Sequence, residues 1–203
     1  MNFRYFERIC VFGETQSGKT VFCRYLAKNM TMVIAYDVFK KNWTGLGKIV
    51  QSWAEFERAV QNKEKKIIIQ WDDDSEELFE RTNQYIWDNC KHVTYFVDEM
   101  QNFCNSNYTP KYLRKLVTMG QEEPRRIGLV LITQLPALLD PKIIGNCAHR
   151  VSFYICEENA LRKLRMSGFN EWAEKLKTLE KYHYVYCNPG ARIWQICKPV
   201  PIN

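Results

Sequence analysis

The sequence has no apolar run long enough to span a bilayer, which takes about 20 residues, and no secretory leader ahead of its first apolar segment. A cytoplasmic protein is therefore expected. Histidine is scarce, with three residues, His92, His149 and His183, far apart in the chain. That spacing excludes a metal centre built on neighbouring imidazoles and leaves each as a strand-edge residue. Cysteine is plentiful at eight, but no two lie close enough for a C-x-x-C pair. A zinc ribbon and a thioredoxin-like redox pair are excluded. Cys10, Cys23, Cys156 and Cys187 fall inside apolar segments and read as small core residues. Internal repeats, low-complexity tracts and linkers are missing, which excludes a solenoid and points to one domain over residues 1–203.

What is present describes a globular protein, with 46% hydrophobic and 26% charged residues. The net charge of +6 is compatible with a polyanionic partner without establishing one.

The stretch with the sharpest chemistry is Gly13-Glu14-Thr15-Gln16-Ser17-Gly18-Lys19-Thr20, which fits the phosphate-binding Walker A pattern. Gly13 and Gly18 allow backbone angles that turn successive N–H groups inward around phosphate oxygens. Lys19 offers a point charge to the β- and γ-phosphates, and the Thr20 hydroxyl suits Mg²⁺. An apolar lead-in from Phe3 to Phe12 reads as a buried strand. Val21 to Lys28 reads as a helix with Val21, Phe22, Tyr25 and Leu26 on its inner side.

Downstream, strands are expected at 32–36, 66–71, 93–97, 128–133 and 148–155, alternating with helices. Ser52-Trp53-Ala54-Glu55 is a capping box that opens a helix to about Asn62. Asp72, Asp73 and Asp74 read as acids at the start of a helix over 76–89, not as a metal site. A helix with Pro110 in first position should end at Gly120, and two more should flank Gly168, over 157–166 and 170–180. A hairpin over 182–187 and 191–198 turns at Asn188-Pro189-Gly190 and is followed by a tail over 199–203. The expected class is α/β, with a mainly parallel sheet flanked by helices and a C-terminal β-hairpin.

Val93 to Val97 followed by Asp98-Glu99 reads as a Walker B strand. Asp98 would hold Mg²⁺ through its water shell, and Glu99 would orient or deprotonate the attacking water. A kinase must keep water from the γ-phosphate, so this pair favours hydrolysis. The long interval between Lys19 and Asp98 holds two expected strands, and at least one should lie between the Walker A and Walker B strands. Gln134, ending the next strand in Thr133-Gln134-Leu135-Pro136, is placed to bond the γ-phosphate or the attacking water.

These three motifs in order resemble the HerA–FtsK superfamily of DNA-pumping ATPases, over about Arg8 to Ile155. The small size is similar to the genome-packaging ATPases of membrane-containing icosahedral viruses with double-jelly-roll capsids, those of turreted archaeal viruses in particular. The resemblance implies a RecA-like P-loop fold, ATP or another NTP with Mg²⁺, and a homo-oligomer, a hexameric ring. It implies a double-stranded DNA partner held by its phosphates, and capsid vertex or membrane proteins of a virion. It also implies an arginine finger from a neighbouring subunit, with Arg125, Arg126 and Arg150 as candidates. Two basic loops could line a DNA channel: one with Lys40, Lys41, Trp43 and Lys48, the other over 102–115 with Lys111, Arg114 and Lys115. A cellular translocase or conjugation ATPase, a P-loop kinase and a nucleotide-dependent switch remain the alternatives.

Overall fold

Short runs of isoleucine, valine and aromatic residues form the centre of the molecule, which a computed structural model describes over residues 3–201. Ile67-Ile68-Ile69 and Val130-Leu131-Ile132 are continuous apolar runs, as strands need when both faces are covered. Nine strands make one sheet: β1 (Arg8–Phe12), β2 (Val33–Tyr36), β3 (Lys48–Val50), β4 (Lys66–Ile69), β5 (Thr94–Val97), β6 (Gly128–Thr133), β7 (His149–Ser152), β8 (Tyr184–Asn188) and β9 (Ile193–Cys197). Their order is β3-β4-β2-β5-β6-β1-β7-β8-β9. The pairings from β3 through β7 are parallel, and β8 and β9 close the far edge as an antiparallel hairpin.

Along β1 the side chains alternate between two cores. Cys10 and Phe12 join the cluster containing Tyr36, Phe79 and Leu116 on one face. Ile9 and Val11 join Phe22, Leu26 and Phe96 on the other. The covering helices are α1 (Lys19–Lys28), α2 (Trp53–Gln61), α3 (Glu76–Asn89), α4 (Lys111–Met119), α5 (Pro141–Asn146) and α6 (Glu158–Leu164). The capping box before α2 is complete, with Glu55 N–H bonded to the Ser52 hydroxyl and the Ser52 N–H to the Glu55 carboxylate. No helix among the described residues is long and apolar enough to cross a membrane.

Several local expectations are corrected. The first strand begins at Arg8; Tyr5 and Phe6 sit in a turn before it. Val21 is 42% exposed, and Cys23 takes the inner position instead. Pro110 is the N-cap of α4, one place earlier than expected. The second helix after Gly168 is a 3-10 segment over Asn170–Thr178, because the chain first kinks through a π-turn at Arg165–Phe169. A short edge strand, β3, was not foreseen: it begins at the end of the basic loop, and three residues of which only Val50 is buried are too few to show a period. Cys156 is exposed, while Cys10, Cys23 and Cys187 are core residues. Of the tail, Ile202 and Asn203 lie outside the described residues.

The largest correction concerns strand order. One strand does separate the Walker A strand β1 from the Walker B strand β5, but it is β6, from downstream of Asp98. The strands in the interval between Lys19 and Asp98, the two expected ones β2 and β4 together with β3, all lie beyond β5. The effect is to bring Gln134 between the two motifs.

Candidate functional site

Parallel strands deliver their C-terminal ends to one edge of a sheet, where open α/β folds bind ligands. Here that edge collects the 13–20 loop after β1, Asp37 after β2, Gln70 after β4, Asp98-Glu99 after β5 and Gln134 after β6.

The loop has the shape its glycines permit. Gly13 has φ +151° and Gly18 φ +111°, conformations L side chains rarely adopt. A Cβ on Gly13 would also meet Ser17 Oγ at 2.6 Å and Phe153 Cβ at 2.8 Å. Gly18 then passes straight into α1, whose N-terminal N–H groups and dipole face the loop. The Ser17 hydroxyl is buried without a protein partner. The loop is pinned on its outer side, where Glu14 N–H donates to Tyr154 O at 3.1 Å and the Glu14 carboxylate accepts from Cys156 N–H at 2.7 Å.

Lys19 is 6% exposed and its Nζ donates to Glu14 O at 2.8 Å. Burial lowers its pKa, and the charges of Glu99 and Asp98 oppose that shift. The site thus concentrates one cation and two carboxylates in a nearly dry setting.

Glu99 is 4% exposed, with left-handed backbone at φ 51°, ψ 49°. A non-glycine residue is held there only when its surroundings determine it. Its carboxylate sits between two amides: Gln134 Nε2 donates to Oε1 at 2.6 Å, and Gln101 Nε2 donates to Oε2. Thr133 Oγ1 donates to Gln101 Oε1 at 2.6 Å. Thr15 Oγ1 donates to Gln134 Oε1 at 2.5 Å, joining the phosphate loop to Glu99 through one glutamine. Gln101 was not foreseen. The signal for it was modest: an amide two residues after Glu99, of the same type as Gln134.

Asp98 is 1% exposed, and burial raises its pKa. Asn42 Nδ2 and Trp43 Nε1 donate to its Oδ2 at 3.0 and 3.2 Å, and Glu99 N–H donates to Oδ1 at 3.1 Å. A carboxylate offers about four lone-pair positions, so three are engaged. The remainder suits a water-mediated contact to a hard cation, with Thr20 as the second oxygen donor. These residues fit Mg²⁺.

Trp43 therefore does not line a channel: it is fully buried against Phe96, with ring centroids 5.1 Å apart. Its loop is clamped from α1 by Arg24, which donates to Asn42 O at 2.7 Å and Thr44 O at 3.0 Å. Asp37 Oδ2 accepts from Trp43 N–H at 3.1 Å and Gln70 Nε2 at 2.8 Å. Lys40 and Lys48 pair with Asp72 and Glu64. Trp43→Phe keeps an aromatic ring but removes the second ring of the indole and its N–H donor from a fully buried site. It should cost about 1–3 kcal/mol of stability for the under-bonded carboxylate, with the vacated volume adding to that, read as a lower urea midpoint at unchanged slope.

The arginines are not brought to this edge. Arg125 and Arg126 precede β6, at its opposite end, roughly 20 Å from Gln134 by strand length. The Arg125 guanidinium lies 3.8 Å from the Trp87 ring centroid, and its Nε donates to Trp87 O at 3.2 Å. Arg126 pairs with Glu123. Arg150 is buried and donates to the carbonyls of Cys147 and Ser167, so it is a structural residue and not a finger.

The fold is shared with the genome packaging NTPase B204 from Sulfolobus turreted icosahedral virus 2 in complex with AMPPCP: TM-score 0.81, 20% identity, 98% of this chain and 100% of that one. VirB4 of Thermoanaerobacter pseudethanolicus superposes with TM-score 0.71 at 8% identity, over 96% of this chain and 89% of that one. The pCW3 conjugation coupling protein TcpA, monomer form with ATPgS, gives TM-score 0.61 at 15% identity, over 94% of this chain and 59% of that one. The resemblance to packaging NTPases of turreted viruses holds for the fold, a P-loop NTPase fold with a mostly parallel sheet. No protein of curated function matches the chain. A family match over residues 7–139 runs from the threshold of β1 past Gln134 and takes in more than half the sequence, and so the chain belongs to the AAA-domain family.

Proposed function

We propose that this chain hydrolyses a nucleoside triphosphate and, as a ring-shaped oligomer, uses that reaction to move double-stranded DNA in viral genome packaging. The observation that carries the reading is the placement of Glu99. A buried carboxylate held between two amides, one of them bonded to the phosphate loop, is suited to accept a proton from water beside a γ-phosphate. A kinase would need an acceptor hydroxyl in the place of that water.

In this reading the N–H groups of 13–20 cradle the phosphates, and Lys19 leaves the Glu14 carbonyl to meet the β- and γ-oxygens. Bound Mg²⁺ supplies neutralisation of charge on those oxygens. Thr20 and Asp98 would hold it, with Asn42 and Trp43 fixing the Asp98 carboxylate. Gln134 exchanges its bonds to Thr15 and Glu99 for bonds to the attacking water or γ-phosphate, so hydrolysis is felt at Glu99. The backbone carries that signal onward, because Asn102 N–H bonds to Glu99 O at 3.0 Å. The exposed residues Asn105 to Tyr108 and then Lys111 and Arg114 follow. That segment is favoured for DNA contact over the 38–48 loop, which folds inward on Asp98. Full-length overlap with a packaging NTPase supports the viral assignment.

DNA contact through phosphates has a simple test. Duplex affinity, measured by fluorescence anisotropy, should fall linearly on a log–log plot against salt, with a slope of about −0.9 per phosphate engaged. Lys111→Glu with Arg114→Glu should lower affinity alike for unrelated sequences. Affinity indifferent to salt, or dependent on base sequence, would sink this part of the reading.

A further inference from the structure

Strands β2 and β4 run side by side and parallel, so their starting and finishing ends lie on opposite edges of the sheet. At the starting ends, away from the phosphate loop, a crevice of about 460 Å³ opens where α2 and α3 finish. Its floor is apolar: Ile34, Ile67, Cys90 and Val93 are buried, with Met32 and Val60 half-buried beside them. Its rim carries exposed Lys63, Lys91 and His92, together with Glu64, which is paired with Lys48 at 3.3 Å. A hole of that size lies in the range of sites that take small organic groups, about 300–1,000 Å³. An aromatic side chain fits it.

The finishing ends of the same strands carry the converse. Phe39, just past β2, is 49% exposed. Asp72, just past β4, is exposed and pairs with Lys40 at 3.4 Å. Asp73, Glu76 and Glu77 are exposed next along the chain, so four carboxylates stand against two lysines, Lys40 and Lys41. One end of these strands thus shows an aromatic knob in an acidic setting, and the other an apolar hole with a cationic rim. Exposed apolar surface rimmed by charge marks association, and opposite fields steer a contact and exclude wrong partners. Knob and hole face opposite ways on one chain. The knob cannot reach its own hole, so the occupant is a second copy.

We infer that Phe39 of one subunit seats in the crevice at Met32, Val60 and Val93 of the next, as a head-to-tail contact that builds the ring. This contact rests on the ring-shaped oligomer proposed above. A heterologous contact of this kind repeats from copy to copy until the ring closes. Both halves are connected to the nucleotide chemistry. Phe39 follows Asp37, whose carboxylate accepts from Trp43 N–H, and the Trp43 indole in turn holds Asp98. On the other half, the rim residue His92 donates its N–H to Arg125 O at 2.8 Å. The hole therefore lies at the same end of the sheet as Arg125 and Arg126. Seating the knob brings the finishing ends of one sheet against the starting ends of the next, which is the approach that an arginine supplied by a neighbour requires.

Sedimentation velocity of the full chain with ATP and Mg²⁺, over a range of protein concentrations, tests this. Phe39→Ser removes the knob, and Lys63→Asp with Lys91→Glu reverses the rim. All three positions are exposed, and Lys63 has φ +55°, which aspartate tolerates. Thermal midpoints equal to that of the unaltered chain certify the folds. Each variant alone should need about tenfold more protein, or beyond, to assemble. Met32→Trp, which fills the crevice without changing charge, should do the same. In a mixture, the rim-reversed subunit keeps its knob and the Phe39→Ser subunit keeps its hole, so the two should form heterodimers and stop there. Variants that assemble at the same concentration as the unaltered chain, or a mixture that stays monomeric where the unaltered chain assembles, would overturn the inference. An unaltered chain that stays monomeric at every concentration, with duplex DNA also present, would instead remove the ring reading, and the contact with it.

Discussion

Glu99→Gln should reduce kcat by about 10²–10⁴-fold, the usual contribution of a general base, while nucleotide binding stays near that of the unaltered chain. The carboxylate touches neither the phosphate loop nor Lys19 directly; it is joined to the loop through Gln134. Removing its charge leaves the N–H cradle and Lys19 in place. The amide is isosteric, and Gln134 and Gln101 can turn their own amides to match it, so stability should change by no more than about 1 kcal/mol. Single-turnover phosphate release separates the two effects. Collapse of the chemical step with intact binding identifies Glu99 as the base. Turnover at the original rate would remove it from the mechanism.

The second large effect concerns the arginines. An arginine finger contributes about 10³–10⁵ in kcat, and the structure distinguishes the two candidates. Arg125 is engaged twice with Trp87, through its ring and its carbonyl. Arg126 pairs with Glu123, lies 5.3 Å from the Phe6 ring centroid and bonds Tyr5, all of them contacts at an exposed guanidinium that solvent screens. Release of Arg126 to a neighbouring subunit costs little; release of Arg125 uncovers an indole. Arg126→Ala should therefore lower turnover by about 10³-fold or more, with Arg126→Lys failing to restore it because an ammonium lacks the guanidinium fork. Arg125→Ala should instead lower the thermal midpoint. Mixing Arg126→Ala with Lys19→Ala subunits should recover activity, since each supplies the part the other lacks. No recovery, with mixed oligomers demonstrated, would mean that sites are not shared.

The chemistry of this site was more legible in the sequence than its scaffolding. Gly13 to Thr20, Asp98-Glu99 and Gln134 are local patterns, each at a strand end, and local patterns survive being read without a fold. Ser52 with Glu55 and the strand Gly128–Thr133 were legible for the same reason: propensity and period decide them. Strand order was not. That β6 lies between β1 and β5 follows from how helices cross the sheet, which no window of sequence contains. Trp43 shows the same limit in one residue. An aromatic in a basic loop resembles a nucleic-acid contact, yet its indole N–H is consumed by Asp98, 55 residues away. Arg150, a candidate finger in the sequence, instead donates to two carbonyls inside the fold. Asn42 acquires meaning only through Asp98, and the orientation of Gln101 through Thr133, both distant in sequence.

The most direct measurement of the central claim is the rate of phosphate release from ATP with and without double-stranded DNA, followed alongside oligomeric state. At low salt, duplex DNA should accelerate hydrolysis severalfold in the oligomer, whatever its base sequence. The acceleration should fade as salt displaces the phosphate contacts. An intact oligomer that hydrolyses ATP at the same rate with and without duplex DNA at low salt would contradict the motor reading.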